Sequence, residues 1–141
     1  MISTQVRQSD TNVIVWNCED PKGKTWELDR SMSSGGWFQI KYTGPTQESF
    51  DLCVVGQQAG GWRDFGSGSQ FYLWECLPND PTQQFRWTGG RHAGGRAMRW
   101  RQDSRKDSDY CLDADGFQNG ERVQAWECSK KLLEFQIWAT L

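Results

Sequence analysis

An internal threefold repeat constrains the fold of this chain more than any other feature of its sequence. A Trp-x-Cys motif occurs three times, and its tryptophans Trp16, Trp74 and Trp126 follow one another at intervals of 58 and 52 residues. A polar loop follows each motif, and an aromatic segment comes after each loop, at residues 25–28, 84–87 and 134–138. Self-similarity at such a period predicts repeated structural units that share one core.

Each complete repeat is predicted to contain four short strands. Residues 37–42 of the second repeat and 96–101 of the third alternate between apolar and polar side chains, as half-buried strands do. A four-stranded unit cannot bury its apolar face alone, whereas three units packed around a pseudo-threefold axis can. The sequence therefore predicts an all-β fold, a single β-trefoil domain whose repeats span about residues 1–34, 35–89 and 90–141.

The composition fits one small aromatic core. A chain of 141 residues suits a single domain, and its nine Trp and seven Phe can enclose much apolar area. The net charge of −2 argues against a nucleic-acid partner or an anionic membrane. No apolar run is long enough for membrane insertion. The first residues lack the features of a signal peptide, so a secreted form is expected to have lost its signal already.

The third repeat carries a set of motifs that resembles the ricin B-type lectin family, also called carbohydrate-binding module family 13. Residues 111–113 read Cys-Leu-Asp, residues 123–128 read Val-Gln-x-Trp-x-Cys, and residues 136–138 offer Gln-x-Trp. The resemblance covers nearly the whole chain and implies a β-trefoil that binds carbohydrate. Either Gln136-x-Trp138 or Phe135 occupies the last of these motif positions.

The other two repeats depart from this family pattern at its acidic position. Val55 lies where the third repeat has Asp113, and Tyr72 replaces Gln124. In the first repeat, Ser3 aligns with the aspartate. The main sugar site is therefore expected in the third repeat alone.

The first repeat also lacks a counterpart of the strand at 37–42. When Cys18 is aligned with Cys128, Met1 falls opposite Cys111. The first repeat is therefore expected to be truncated at its N-terminal strand. Either the chain is a trimmed piece of a longer protein, or the exposed edge pairs with a second chain.

The resemblance implies two disulfides, Cys53–Cys76 and Cys111–Cys128, each joining consecutive strands of a predicted hairpin. A loop of about 15 residues closed in this way contributes about 3 kcal/mol. The pairs favour an oxidising, extracellular compartment, and the alternative is five reduced thiols in a cytosolic protein. Cys18 is then a free or half-buried thiol, or one whose partner lies upstream.

A sugar site needs hydrogen-bonding groups beside an aromatic ring, because sugars present hydroxyls and an apolar C–H face. If the residues flanking Gln124 face the core, then Gln124 and Trp126 face outward. Asp113 is expected to accept hydrogen bonds from two hydroxyls while Trp126 stacks on the apolar face. Gln124 or Gln136 would support the polar side, and Asn119 would contribute from the loop.

Structural roles remain open for the same residues. Trp126 can simply cover the hairpin and its disulfide, since Trp16 and Trp74 recur in repeats without the aspartate. Asp113 can cap the turn that follows it. Trp62 and Phe65 form a second candidate contact in a Gly-rich loop, unless they fold back onto the barrel.

The basic stretch 91–106 could attract anionic glycans. Three aspartates partly neutralise that stretch, which favours a solvated face.

The sequence predicts no enzyme, no metal site and no cofactor. His92 is the only histidine, no Cys-x-x-Cys pair exists, and no phosphate-binding loop is present. Asp113 and Asp115 lie on one short segment and not on two sides of a cleft.

Two functions remain. The first is a lectin or carbohydrate-binding module for glycans, galactose-type sugars among them, which could carry an appended domain. The second is a protein-binding β-trefoil, such as a protease inhibitor or a toxin or assembly subunit, that has lost sugar binding.

Overall fold

A computed structural model describes residues 2–3, 13–15, 26–31, 35–44, 48–56, 70–92, 95–101, 110–116, 118–128, 136 and 138. This part of the chain is antiparallel β-structure with a 3₁₀ turn at Pro81–Gln83, so the predicted all-β class is confirmed. The described strands are β1 (Ile2–Ser3), β2 (Ile14–Val15), β3 (Trp26–Asp29), β4 (Gln39–Tyr42), β5 (Leu52–Val55), β6 (Tyr72–Glu75), β7 (Phe85–His92), β8 (Gly95–Trp100), β9 (Tyr110–Ala114) and β10 (Val123–Glu127).

Two four-stranded sheets of the same design contain most of these strands. The first sheet has the order β3-β4-β5-β6 and the second has the order β7-β8-β9-β10, while β1 pairs with β2. Each four-stranded sheet ends in a hairpin that leads into a Trp-x-Cys motif. The sheets therefore repeat one another, as the sequence predicts from its second and third repeats.

The three hairpins that precede the Trp-x-Cys motifs share one register. The residue pairs at the position of Asp113 in each repeat are Ser3 with Ile14, Val55 with Tyr72, and Asp113 with Gln124. The alignment made from sequence motifs thus matches the backbone pairing. The same strand geometry forms with a serine, a valine or an aspartate at this position.

Backbone hydrogen bonds join these three hairpins into a closed ring. Val13 N donates to Phe71 O, Phe71 N donates to Val123 O, and Val123 N donates to Val13 O, each at 3.0 Å. These residues each lie three positions before a Trp-x-Cys tryptophan, and all are fully buried. The three repeats therefore meet at equivalent points and contribute to one interior.

Alternating side chains from both sheets fill that interior. Phe71 packs edge-on against Phe85, with ring centroids 5.5 Å apart, and against Trp100 at 5.8 Å. Trp100 Nε1 donates to Thr82 O at 2.8 Å, which satisfies its buried polar group. A Cβ atom at Gly56 would lie 2.2 Å from Trp100 Cζ2, so only glycine fits beside this ring.

Both expected disulfides are present. Cys53 is bonded to Cys76 and Cys111 to Cys128, and the Cα atoms are 5.0 Å apart in each pair. These bonds fit the oxidising conditions outside the cell. Cys18 lies outside the described residues. In the described part of the chain, no helix has the length and apolar character needed to span a membrane.

Trp138 occupies the position of the final aromatic residue in the third repeat, which is equivalent to Phe85 in the second. Phe38 and Phe85 exchange backbone hydrogen bonds of 2.8 and 2.9 Å, and Arg96 and Trp138 exchange two of 2.9 Å. Lys41 and Arg99 pair with the equivalent cysteines, so Phe38 and Arg96, each three residues earlier, are also equivalent. Trp138 therefore corresponds to Phe85. Gln136-x-Trp138 therefore fills the position that the sequence left open between it and Phe135, which lies outside the described residues.

Candidate functional site

The candidate site lies on the outward face of the β9–β10 hairpin. Side chains alternate across the two strands, so one face enters the core and the other faces away from it. The core side carries Leu112, Ala114, Val123 and Ala125. The opposite face carries Cys111, Asp113, Gln124 and Trp126. Strand pairing sets Asp113 directly opposite Gln124 and Cys111 opposite Trp126.

Asp113 is a carboxylate held in a buried position. The residue is only 6% exposed, and its Oδ1 accepts a hydrogen bond from Gln124 Nε2 at 3.0 Å. Burial raises the pKa of Asp113 above its usual value, while hydrogen bonds from Gln124 and Gln136 oppose this rise and the nearby Asp115 adds to it. Removing water disfavours the charged form, and neutral amides compensate only in part. The ionised carboxylate is therefore kept at an energetic cost.

Gln124 lies on the face opposite the core, as expected from alternation, but it is covered there. Its residue is 3% exposed, and Nε2 lies 3.5 Å from Asp115 Oδ1 besides its bond to Asp113. Alternation fixes the face of a side chain but not whether other segments cover that face. Gln124 thus contributes a covered amide that holds the aspartate.

The Gln124 amide oxygen has no hydrogen-bond partner among the described residues. A buried acceptor without a donor costs about 1–3 kcal/mol, so a hydroxyl or water that donates to it would be stabilising. Gln39 Oε1, in the first sheet, shares this condition. A buried acceptor without a donor therefore does not by itself indicate a binding site. At Gln124 it is relevant because this residue lies on the same face as Asp113 and Trp126.

Gln136 braces the site from the buried side. It is fully buried, and its Nε2 donates to Glu127 O at 2.9 Å. Gln83 forms the equivalent bond in the second repeat, from Nε2 to Glu75 O at 2.7 Å. The shared bond indicates a structural role for this glutamine in both repeats. In the third repeat Gln136 also hydrogen-bonds Asp113, and so it positions the carboxylate.

Trp126 lies on the same face as Asp113 and remains open to solvent. It is 45% exposed, and it is the only large apolar side chain classed as exposed within the described ranges. Trp74, its counterpart in the second repeat, is partly covered. An indole ring in water beside a buried carboxylate offers an apolar surface and a polar edge together.

The turn between β9 and β10 places Asn119 at the rim. Glu121 N donates to Gln118 O at 3.2 Å, and Gly120 adopts a φ of 92°, which favours glycine. Asn119 is exposed on this turn. Asp115 N donates to Arg122 O at 3.0 Å, which closes the base of the turn. Asn119 can therefore contribute only from the edge of the site.

The second repeat has no such polar pair at the equivalent position. Val55 is fully buried there and is paired with the partly buried Tyr72. The secondary loop candidates Trp62 and Phe65 lie outside the described residues. The basic stretch is described only in part, and Arg96, Arg99 and Arg101 within it are partly exposed.

One buried carboxylate escaped the sequence interpretation. Asp29 Oδ1 accepts hydrogen bonds from Ser31 N at 2.8 Å and Ser31 Oγ at 2.6 Å, and Oδ2 lies 2.9 Å from Lys41 Nζ. These contacts lower the pKa of Asp29 to about 2. The Asp-x-Ser spacing is a local turn signal that could have indicated the first two bonds.

The arrangement can bind a neutral polar ligand that also has an apolar face. The Asp113 carboxylate, held by Gln124, supplies an acceptor for hydroxyl donors, and Trp126 supplies a flat ring. A scan against family models finds no match to this chain, and a search of curated proteins finds none either. The geometry of the third repeat is therefore the basis for inferring a function.

Proposed function

We propose that this protein is a β-trefoil of the ricin B-type lectin class that binds glycans through its third repeat. The shared hairpin register and the ring of hydrogen bonds through Val13, Phe71 and Val123 support three equivalent units around one axis. The Gln-x-Trp position filled by Gln136 and Trp138 adds to the resemblance. Secretion and the absence of catalysis belong to the same proposal.

One observation supports glycan binding more than any other. Asp113 is buried with a raised pKa on the same hairpin face as the exposed Trp126. Titratable groups with perturbed pKa values concentrate at functional sites. In the same register position the second repeat has Val55, so the fold does not require a carboxylate there. A binding function explains why one is present.

Sugar chemistry matches the groups that converge at this position. Hydroxyls donate to the Asp113 carboxylate, which the Gln124 amide holds, while the C–H face of the ring stacks on Trp126. Gln136 holds the carboxylate in place, and Asn119 contacts the ligand from the rim. Galactose-type sugars are the first candidates because the family often binds them.

A protein partner is the second candidate. Exposed tryptophans are enriched at protein–protein interfaces, and Trp126 is such a residue. A flat protein contact would use the indole ring and would not need the Asp113 carboxylate. The two functions therefore differ in how much they depend on Asp113.

A matched pair of tryptophan variants tests the proposal on a glycan array. Trp126→Ala is expected to reduce glycan binding about 5- to 30-fold, since aromatic stacking and apolar burial contribute on the order of 1–2 kcal/mol. Trp74→Ala, at the equivalent position of the second repeat, is expected to leave binding unchanged. Equal binding by the two variants, or no glycan signal from the unaltered protein, would contradict the proposal.

A further inference from the structure

A row of outward side chains crosses the whole second sheet and ends at Trp126. Strand pairing sets Arg86 opposite Arg99, Arg99 opposite Cys111, and Cys111 opposite Trp126. Residues paired across strands point to the same face of a sheet. Two guanidinium groups therefore share the face of the candidate site, on the far side of the Cys111–Cys128 disulfide.

The neighbours of these arginines confirm which way the row faces. Phe85 and Trp100 are fully buried in the core, and Trp87 and Met98 also pack into it. Since Arg86 and Arg99 alternate with those residues along β7 and β8, they lie on the opposite face. Both are partly exposed. The basic groups are thus accessible from the side on which Trp126 is open.

The first sheet has the same row with a different charge pattern. There Glu27 pairs with Lys41, Lys41 with Cys53, and Cys53 with Trp74. Opposite charges face one another in that row, whereas two arginines face one another in the second sheet. The equivalent position thus holds a Glu–Lys pair in the first sheet and two arginines in the second sheet.

An aromatic ring holds part of this basic cluster in place. The guanidinium carbons of Arg86 and Arg101 lie 4.6 and 5.1 Å from the ring centroid of Trp37, which is 5% exposed. Cation–π contacts favour such positions. Because Arg86 is held over a buried ring, it loses less freedom when it binds an anion.

The distance from the arginines to Trp126 suits a short oligosaccharide. Neighbouring strands lie about 4.8 Å apart, so the two strand spacings between Arg99 and Trp126 amount to roughly 10 Å. A disaccharide or trisaccharide that stacks one ring on Trp126 spans this distance along the row. Its next residue would then lie over the disulfide and reach Arg99.

We propose that the site in the third repeat selects acidic glycans, with Arg99 and Arg86 binding a sulfate or carboxylate group on the sugar next to the one stacked on Trp126. This inference rests on the proposed glycan-binding function. Arginine binds sulfate and carboxylate groups through two parallel hydrogen bonds, and both groups offer the oxygen geometry that this needs.

The test uses an array that prints neutral oligosaccharides beside their sulfated and sialylated counterparts, followed by titration of the pair that gives the highest signal. The acidic member is expected to bind at least about tenfold tighter than the neutral one. Arg99→Gln should reduce the affinity for the acidic member to that for the neutral member. Arg30→Gln, an exposed arginine on the other sheet, gives the same charge change and should preserve the preference.

A second variant and a comparison of two ligand classes complete the test. Arg86→Gln is an independent variant that should weaken the same preference, so the test does not depend on the folding of one mutant. Comparison of sulfated with sialylated ligands distinguishes the two anionic sources. If glycans bind without preference for the acidic member, or if Arg99→Gln and Arg86→Gln both keep the preference, the inference is overturned and the proposed function stands. If no glycan binds, both fall.

Discussion

Two buried carboxylates, one in each four-stranded sheet, have pKa values that are shifted in opposite directions. Asp29 is 7% exposed and Asp113 is 6% exposed, and both lie on outward faces of paired strands. The pKa of Asp29 is lowered to about 2, whereas the pKa of Asp113 is raised above its usual value. Similar exposure is therefore accompanied by opposite pKa shifts, and the immediate neighbours of each carboxylate determine the direction of its shift.

The neighbours of Asp29 favour its charge, and those of Asp113 do not. The Ser31 hydroxyl and amide and the Lys41 ammonium all contact Asp29. Asp113 receives hydrogen bonds only from neutral amides in the described part of the chain, and Asp115 adds a negative charge nearby. Asp29 thus contributes to folding, whereas ionised Asp113 opposes it. A buried carboxylate that lowers the stability of the fold indicates a binding site. A buried carboxylate that raises the stability of the fold indicates a structural role.

The largest effect on stability is expected when an aspartate is introduced into the second repeat at the position equivalent to Asp113. Val55→Asp would place a carboxylate at a fully buried position in the same register as Asp113. We expect a loss of about 3 kcal/mol or more in the free energy of unfolding, measured by urea denaturation, because a buried charge without partners is costly.

Adding Tyr72→Gln supplies the amide that Gln124 provides in the third repeat. The double variant is expected to recover about 1 kcal/mol, which is the value of a typical hydrogen bond. If Val55→Asp alone is as stable as the unaltered protein, burial does not penalise a carboxylate at this position; if Tyr72→Gln recovers no stability, an amide opposite the carboxylate does not support it.

An intermediate effect is expected at Asp29. Asp29→Asn should lower the free energy of unfolding at neutral pH by roughly 2–2.5 kcal/mol, since the pKa falls from 3.8 to about 2 and one pKa unit corresponds to about 1.4 kcal/mol. Asp51→Asn is the matched control, because that carboxylate is 67% exposed and lies 3.7 Å from the same Lys41 Nζ. Its effect should stay within about 0.5 kcal/mol. If both variants lose the same free energy of unfolding, the buried Asp29 stabilises the fold no more than the exposed Asp51 does.

The smallest effect is a difference in pH dependence between the two carboxylates. The stability that Asp29 contributes is present above its ordinary pKa of 3.8 and is lost as pH falls toward about 2. For Asp113 the sign is reversed: its folded pKa is raised, so protonation removes the burial penalty and stability rises as pH falls through that pKa. Thermal unfolding of the Asp29→Asn and Asp113→Asn variants across this pH range measures both. Shifts of the same sign would contradict the assignment.

The sequence predicted the repeats and the strands from their patterns, and the disulfides followed from its resemblance to a lectin family. Alternation and the Trp-x-Cys spacing predicted the hairpins of the second and third repeats, and the alignment of Ser3 and Val55 with Asp113 matches the observed register. These features are local or follow from self-similarity, so one sequence contains them.

Contacts between distant segments could not be predicted in this way. Gln124 is covered and Gln136 braces Asp113, although both had been assigned to the sugar. The pairing of Arg86 with Arg99 and the stacking on Trp37 depend on which strands become neighbours. Periodicity shows which face a side chain takes, but only tertiary packing decides what covers that face.

The most direct measurement compares stability and glycan affinity in a single variant, Asp113→Asn. The amide removes a buried charge and keeps the shape of the side chain, so the melting temperature is expected to stay the same or rise. Affinity for the array ligand is expected to fall by about 10- to 100-fold, because hydrogen bonds to a charged acceptor contribute about 1.5–3 kcal/mol. A clearly lower melting temperature with unchanged affinity would show that Asp113 is scaffold and that the site lies elsewhere.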